Sequence, residues 1–456
     1  MEGFDVVIIG AGPGGSKAAK ILASSGKSVA LIEDTHWGGV CLNCGCIPTK
    51  LLLGAVAPKG LLRGLERQRV GTGSLSVDYA ALQKRVQRFT GASSQALAKG
   101  LTQAGVRLFN GRGVCRDARH VDVLDAEGSV TASLAAGYII LATGSRPAAF
   151  PGLEPDHDAV LDSTDLLNTP SPPQSLLIVG AGAIGLEMAD FFGAMGCAVT
   201  VVEAAPQLAP TEDSDVAQEL EKLLRKTGLT SLVGVRASSL VSRNDQAVLT
   251  LEDGRELTAD KALVAVGRKP NTDGLGVKAA GGSLDRRGYI QTDDWLRAAP
   301  TVYAIGDVNG RTLLAHAAEH QAVHVARQIL GLESGAYESG PVPSCIYGSL
   351  EVMRVGQTAR EARAAGGEVA VSRAPLIANA IAQAGGDPAG FIKVVWHEGR
   401  MAGIAALGHH VSHLVTAAQL LVLGQYHGDR MHQFMFAHPT LDEALAAAIT
   451  APRESA

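Results

Sequence analysis

Aromatic residues are scarce in this chain, with 3 Trp, 7 Tyr and 9 Phe among 456 residues. Its cores must therefore be packed mainly by aliphatic side chains and alanine. Neither sign of charge prevails, since 40 Lys and Arg are mixed with 45 Asp and Glu. That balance offers no electrostatic footprint for nucleic acid or anionic lipid. Long apolar runs are missing too, being interrupted by glycine or charge, so no membrane span is expected. The first strand starts at Phe4, which leaves no room for a cleaved leader. A cytoplasmic location follows as the expectation, and there a disulfide is catalytic rather than structural. No low-complexity tract occurs. At 456 residues the chain exceeds one ordinary core, so three or more lobes are expected.

Cysteine is also rare. Of the six, Cys115, Cys197 and Cys345 stand alone, which removes the second ligand cluster that a structural zinc site needs. The other three lie in Trp37-Gly38-Gly39-Val40-Cys41-Leu42-Asn43-Cys44-Gly45-Cys46-Ile47-Pro48-Thr49-Lys50. Cys41 and Cys46 are close enough in sequence to close a small ring, and Pro48 with Leu51-Leu52-Leu53 marks a helix beginning near Cys46. A helix start favours a thiolate, so the run reads as a redox pair.

Two glycine-rich turns accompany it. Phe4 to Ile9 reads as a buried strand, Gly10-Ala11-Gly12-Pro13-Gly14-Gly15 as the turn into a helix running to about Ser25, and Ser28 to Ile32 as a second strand ending at Glu33. Gly10 permits the tight turn, Gly12 lets backbone approach a pyrophosphate, and Gly15 lets helix pack on strand. The pattern recurs in Leu176 to Val179, Gly180-Ala181-Gly182-Ala183-Ile184-Gly185 and Val199 to Val202, ending at Glu203. In both copies the acid stands 23 residues after the first glycine. Two dinucleotide sites mean two cofactors, and with a dithiol between them in sequence the reading is electron transfer from nicotinamide through a flavin to a disulfide. A carboxylate at Glu203 accepts from a ribose 2′-hydroxyl and repels a 2′-phosphate. No arginine follows in Ala204-Ala205-Pro206-Gln207, so NAD is expected.

Further motifs follow in order: Leu141-Ala142-Thr143-Gly144-Ser145, Ala265 to Thr272, Val302-Tyr303-Ala304-Ile305-Gly306-Asp307, and His438-Pro439-Thr440-Leu441-Asp442-Glu443. With them the chain resembles, over nearly its whole length, the FAD-dependent pyridine nucleotide-disulfide oxidoreductases, most closely their dihydrolipoamide dehydrogenases. The resemblance implies an α/β fold with two Rossmann-like dinucleotide-binding domains, for FAD and NAD, and a C-terminal α+β dimerisation domain. Composition and motif order place the FAD domain at 1–146 and 273–340, the NAD domain at 147–272 and the dimerisation domain at 341–456.

Residue roles follow from the same resemblance. Cys46 would lie against the flavin and Cys41 would exchange with substrate sulfur, with His438 as acid/base partner oriented by Glu443. FAD would be held by Gly10, Gly12, Gly14, Gly15 and Glu33, by Thr143 and Gly144, by Asp307 on its polyol chain, and by Lys50 and Ala315. NAD would be held by Gly180, Gly182, Gly185, Glu187, Glu203 and Gly267. Lys50 and Glu187 would meet as paired charges beside the flavin ring. A homodimer with shared active sites is implied, acting on a small or carrier-bound dithiol or disulfide, a lipoyl group first.

Some positions depart from that family pattern. Cys44 stands where an aliphatic residue is usual. It reads either as a small buried hydrophobe or as a competitor that pairs with Cys41. The segment Ala378-Asn379-Ala380-Ile381-Ala382 lacks a customary arginine, and His413 stands in place of a glutamate. Two alternatives therefore stay open: a reductase of another small disulfide, and a flavin subunit passing electrons to a protein partner. The absence of cysteine after Cys345 disfavours mercuric reduction and a C-terminal redox tail. His316, His320 and His324 share one helical face, and His409, His410 and His413 cluster later. No metal site is expected from either set.

Overall fold

The computed structural model describes residues 1–456. The chain divides into two compact units, one made of Met1–Pro48, Lys84–Ala148 and Gly267–Ser339, the other of Thr49–Gln83, Ala149–Val266 and Gly340–Ala456.

In the first unit the strand Glu2–Ile9 lies parallel to both Val29–Glu33 and Val130–Leu141, with Val6 opposite Val29 on one side and Tyr138 on the other. Val106–Asn110 and Val302–Ala304 extend this sheet outward. Val6, Val7 and Ile8 are fully buried, as a central parallel strand covered on both faces requires. The helices Pro13–Ser24 and Ala315–Ile329 share a core that includes Ala18, Ala19, Ala322 and Ala326. Small side chains fill space here that aromatic residues occupy in other cores.

The second unit contains a five-stranded parallel sheet in the order Thr230–Val233, Ala198–Glu203, Ser175–Val179, Lys261–Val264 and Val160–Leu161. A three-stranded antiparallel sheet accompanies it. Its C-terminal part is a six-stranded antiparallel sheet running from Pro343–Ile346 to Glu454–Ser455, with Trp396 in its core.

The expectation that no apolar run is long enough to span a bilayer needs correction. By length and composition alone the helical stretch 39–67 would suffice, because glycines at 45, 54, 60 and 64 interrupt it without making it polar. Three of its cations are nevertheless bonded within the fold. Lys50 Nζ donates to Glu187 Oε2 at 2.7 Å, Lys59 Nζ to Ala194 O at 2.6 Å, and Arg67 to Asp387 at 2.6 Å.

Within the second unit, buried charge joins the start of the helix Ser214–Arg225 to the six-stranded antiparallel sheet. Lys393, only 3% exposed, donates to Asp213 Oδ2 at 2.8 Å and to Asp215 Oδ2 at 2.9 Å. Asp213 also accepts from the Ala359 and Arg360 amides at 2.9 and 3.2 Å. Beside it, Arg354 Nε donates to Glu212 Oε2 at 3.0 Å. Burial alone would push the Asp213 carboxyl up, but the Lys393 and amide bonds outweigh it and hold Asp213 below the usual aspartate range. Its contribution to stability is therefore present above that range and lost as pH falls below it, through the lower value of the folded protein. Lys393→Met should lower unfolding stability by about 3–5 kcal/mol by leaving the buried Asp213 carboxylate without a cation. It should also flatten the acid limb of the stability curve. Arg255→Ala, which removes a fully exposed pair with Asp253, should change little. Urea unfolding at neutral and acid pH checks all three outcomes.

Candidate active site

The two glycine turns are built alike. The N–H of Gly10 donates to Ile32 O at 2.8 Å and that of Gly180 to Val202 O at 2.9 Å, so each turn hangs from the end of the next strand. Gly10 has φ +101° and Gly180 φ +106°, in the region that favours glycine. A Cβ at Gly15 would lie 1.9 Å from Gly10 O, and one at Gly185 2.0 Å from Gly180 O, so only glycine lets helix approach strand this closely. The strand-end acids clasp the turns. Glu33 Oε2 accepts from Ala11 N at 2.7 Å, and Oε1 accepts from Thr35 N and His36 N at 3.0 and 3.2 Å. Burial raises the Glu33 carboxyl, and these bonds oppose the rise. Glu203 repeats the clasp, accepting from Ala181 N and Ala205 N, both at 2.7 Å. Each carboxylate keeps acceptor capacity for a ribose hydroxyl.

The redox run is pinned to the first turn. Gly38 N–H donates to Ala11 O at 3.0 Å, and a Cβ at Gly39 would lie 2.9 Å from Gly12 Cα. Asn43 Nδ2 donates to Trp37 O at 3.1 Å and to Gly39 O at 2.9 Å, which braces the short helix Gly39–Asn43 carrying Cys41. Cys46 is the first residue of the helix Cys46–Arg67, where the helix dipole favours a thiolate. Cys41 and Cys44 are half-buried and Cys46 is exposed. Pro48 sits in the first turn, where its missing N–H costs nothing.

One turn beyond Cys46, Lys50 Nζ donates to both oxygens of Glu187, at 2.9 and 2.7 Å. Glu187 belongs to the helix Ala183–Ala194 that opens from the second glycine turn. It is 5% exposed. Burial raises its carboxyl, while Lys50 and the Tyr347 N–H, 3.1 Å from Oε1, pull it back. Lys50 Nζ also lies over the Tyr347 ring, 4.5 Å from its centroid. Nothing in the sequence signalled Tyr347, which is remote from both partners along the chain.

Asp307 accepts from the Ser145 hydroxyl and lies 3.6 Å from Arg268 Nε, which itself donates to Ser145 Oγ at 2.6 Å. Thr143 and Gly144 are joined to Asn271: Thr143 Oγ1 donates to Asn271 O at 2.7 Å, and Asn271 N to Gly144 O at 3.0 Å. Gly267, at φ +138°, accepts from Ala148 N at 3.0 Å. Ser145, Arg268 and Asn271 stood within quoted motifs without an assigned role, and only their pairing in space supplies one. Ala315 opens the helix Ala315–Ile329, which has no side-chain cap. Gly14 packs close to Ala318 O.

In the second unit, His438 Nδ1 lies 2.8 Å from Glu443 Oε1, and Thr440 N donates to Glu443 Oε2 at 3.0 Å. The His438 bond, then the Thr440 amide, hold Glu443 below the usual glutamate range. A carboxylate on Nδ1 fixes the tautomer that leaves Nε2 to accept a proton. The His438 side chain is 78% exposed. In the arginine-free segment, Asn379 caps the helix Ala380–Ala384 and its Nδ2 donates to Thr440 O at 2.9 Å. His413 stacks on His410 at 5.4 Å, and His410 lies 5.8 Å from the His409 ring. His320 and His324 both pack on Tyr337. His157, Asp162 and Asp165 bring three ligand atoms within 4.8 Å, but the two acids are engaged as a helix capping box.

The sequence signature of the pyridine nucleotide-disulphide oxidoreductases matches residues 4–322, and that of their dimerisation domain matches 342–449. The chain belongs to this family. A dihydrolipoyl dehydrogenase of Chlorobaculum parvum is 37% identical, covering 99% of this chain and 97% of that protein. LpdA of Mycobacterium tuberculosis superposes with a TM-score of 0.89 at 27% identity, covering 98% of this chain and 99% of that one. RclA of Escherichia coli, an HOCl-induced flavoprotein disulfide reductase solved as a Cu(II) complex, gives 0.88 at 26% identity with 99% of both chains covered. As a member of the family, the protein is a flavin-dependent oxidoreductase acting on sulfur groups, with FAD and NAD(H) as cofactors. It acts on a dithiol or disulfide as a homodimer.

The turns fit two dinucleotides. Gly12 and Gly182 cap their helices with no side-chain bond, and a Cβ at either would meet nothing within 4 Å. The helix starts are thus without side-chain caps and have open space beside Gly12 and Gly182, an arrangement that can receive a pyrophosphate. Gly12→Ala, at φ −63°, should fold normally yet retain flavin poorly, because the added methyl occupies that space. Gly15→Ala should instead destabilise the fold by about 1–3 kcal/mol. Circular dichroism, thermal melting and the flavin-to-protein absorbance ratio separate the two variants.

Proposed function

We propose that the protein is an NAD-dependent dihydrolipoyl dehydrogenase of the cytoplasm, oxidising a lipoyl dithiol carried on a separate protein. One observation carries this reading: the helix whose first residue is Cys46 presents Lys50 one turn later, bonded to Glu187. The name borne by the Chlorobaculum relative supports the choice of substrate. In this reading residues 1–146 and 273–340 hold FAD, 147–272 hold NAD and 341–456 pair the subunits.

One substrate sulfur attacks Cys41 Sγ of the oxidised pair, and Cys46 leaves as a thiolate favoured by its helix start. The second substrate sulfur then displaces Cys41, closing the substrate disulfide and leaving Cys41 as a thiol and Cys46 as a thiolate. His438 Nε2 of the other subunit takes the proton of the first attacking thiol, the proton of the second passes to the departing Cys41, and the exposure of His438 supports that placement. Bound FAD and NAD supply the route by which the two electrons leave the thiol pair. Lys50 supplies positive charge beside the flavin, and Glu187 keeps that charge from being buried alone. Asp307 holds the polyol chain, and Glu33 and Glu203 hold the two riboses.

A second reading, a reductase of another small disulfide, draws on His413 and the arginine-free segment 378–382. Steady-state turnover with a panel of dithiols and disulfides decides between the two. Dihydrolipoamide with NAD should be fastest, and faster turnover with any other disulfide would overturn the substrate. NADH should be preferred over NADPH by about tenfold or more, roughly 1.4 kcal/mol, and Glu203→Arg should narrow that gap. His438→Gln should lower dithiol oxidation by about 10²–10⁴ while leaving dye reduction by NADH near the parent rate.

A further inference from the structure

Three thiols, not two, stand in the redox run. Cys41-Leu42-Asn43-Cys44 is a Cys-X-X-Cys sequence set inside the Cys41 to Cys46 span. The reading of Cys44 as a small buried hydrophobe is tested by its surroundings. Cys115 and Cys197 are buried, and burial pushes both thiols up to about 12, the condition of an inert cysteine. Cys44 is only half-buried. Its N–H donates to Val40 O at 2.9 Å, so the last helical bond of the segment closes the turn that contains Cys41. Residues three apart on a helix share one face, with Cβ atoms about 5–6 Å apart. A disulfide needs about 3.5–4.5 Å. Cys44 can make up that difference, since at φ −144° it has already left helical geometry and Gly45 follows it.

We propose that Cys44 is a third exchange thiol, whose thiolate attacks Cys41 Sγ in the oxidised Cys41–Cys46 pair. The Cys41–Cys46 bond breaks and a Cys41–Cys44 bond forms. Cys46 departs as a thiolate, and the proton of Cys44 goes to solvent. No net oxidation or reduction occurs, so no further reagent is required. The direction of attack follows from leaving-group chemistry. Cys46 begins the helix Cys46–Arg67, which stabilises its thiolate, and the sulfur with the more stable thiolate is the one expelled. The exchanged form keeps one disulfide but presents Cys46 reduced. The oxidised protein thus has two forms, and only one of them bears the Cys41–Cys46 bond.

This inference rests on Cys41 and Cys46 being the redox pair, and thiol mapping separates the two claims. The oxidised holoenzyme is acid-quenched and labelled with a maleimide. It is then reduced, labelled with iodoacetamide and digested, and fragmentation shows which cysteine of the run carried the maleimide. We expect the maleimide on Cys44 in part and on Cys46 in roughly a tenth of molecules or more. Maleimide confined to Cys44 would overturn the exchange and keep the pair. Maleimide on Cys41, the mark of a Cys44–Cys46 bond, would overturn the assigned direction. Maleimide on all three would remove the redox pair itself. As a second readout, the oxidised holoenzyme should show weak long-wavelength absorbance before any reductant is added, and Cys44→Ser should lack it. Equal absorbance in both proteins would also overturn the exchange.

Discussion

A buried carboxylate at Glu187 has to be neutralised, and the way it is neutralised organises the second unit. Its counter-charge is Lys50, from the helix that Cys46 begins, and its remaining bond comes from the Tyr347 amide at the edge of the C-terminal sheet. One acidic side chain thus ties the redox helix, the second glycine-turn helix and the antiparallel sheet together. Neighbouring acids repeat the device. Asp190 is bonded to Ser349, Glu212 to Arg354, and Asp213 to Lys393 and two amides. Burial raises the carboxyls of Glu187, Asp190 and Glu212. Only Asp213, with a buried ammonium and two amides, is held below its usual range. A wrong arrangement of these lobes would strand several carboxylates in an apolar setting, which is a strong constraint on a single packing.

Local patterns made much of this fold legible. The helix expected to run to about Ser25 is Pro13–Ser24, and the strands expected at Phe4–Ile9, Ser28–Ile32, Leu176–Val179 and Val199–Val202 are Glu2–Ile9, Val29–Glu33, Ser175–Val179 and Ala198–Glu203. Glycine spacing carried the two turns, because a 1.9 to 2.0 Å approach at Gly15 and Gly185 tolerates no other residue. Less legible was what depends on partners far apart in sequence. Tyr347 under Lys50, Lys393 against Asp213 and Asn379 on Thr440 are ordinary residues until the chain folds. In the stretch 39–67 glycines break the run of large apolar side chains without adding polarity, so by length and composition alone it remains long and apolar enough to cross a bilayer.

The redox run shows how much chemistry backbone placement supplies. Gly38 and Gly39 bring it against the first glycine turn, Asn43 braces its short helix, and the next helix begins on Cys46. Cys41 and Cys46 therefore differ in setting while lying close in sequence. In the proposed mechanism that asymmetry is what would let one sulfur exchange with substrate and the other leave as a thiolate. His438, oriented by Glu443 and turned to solvent within its own chain, supplies the complementary half of a site that two subunits share in this account.

The central claim is that electrons pass between substrate and flavin through Cys46. Anaerobic titration of the purified flavoprotein with a dithiol, followed by absorbance, tests it most directly. On the first two electrons the long-wavelength absorbance of a Cys46 thiolate lying against oxidised flavin should grow while the main flavin band persists, and Cys46→Ser should show no such growth. Direct bleaching of the wild-type flavin without that absorbance, or its growth in Cys46→Ser, would contradict the account.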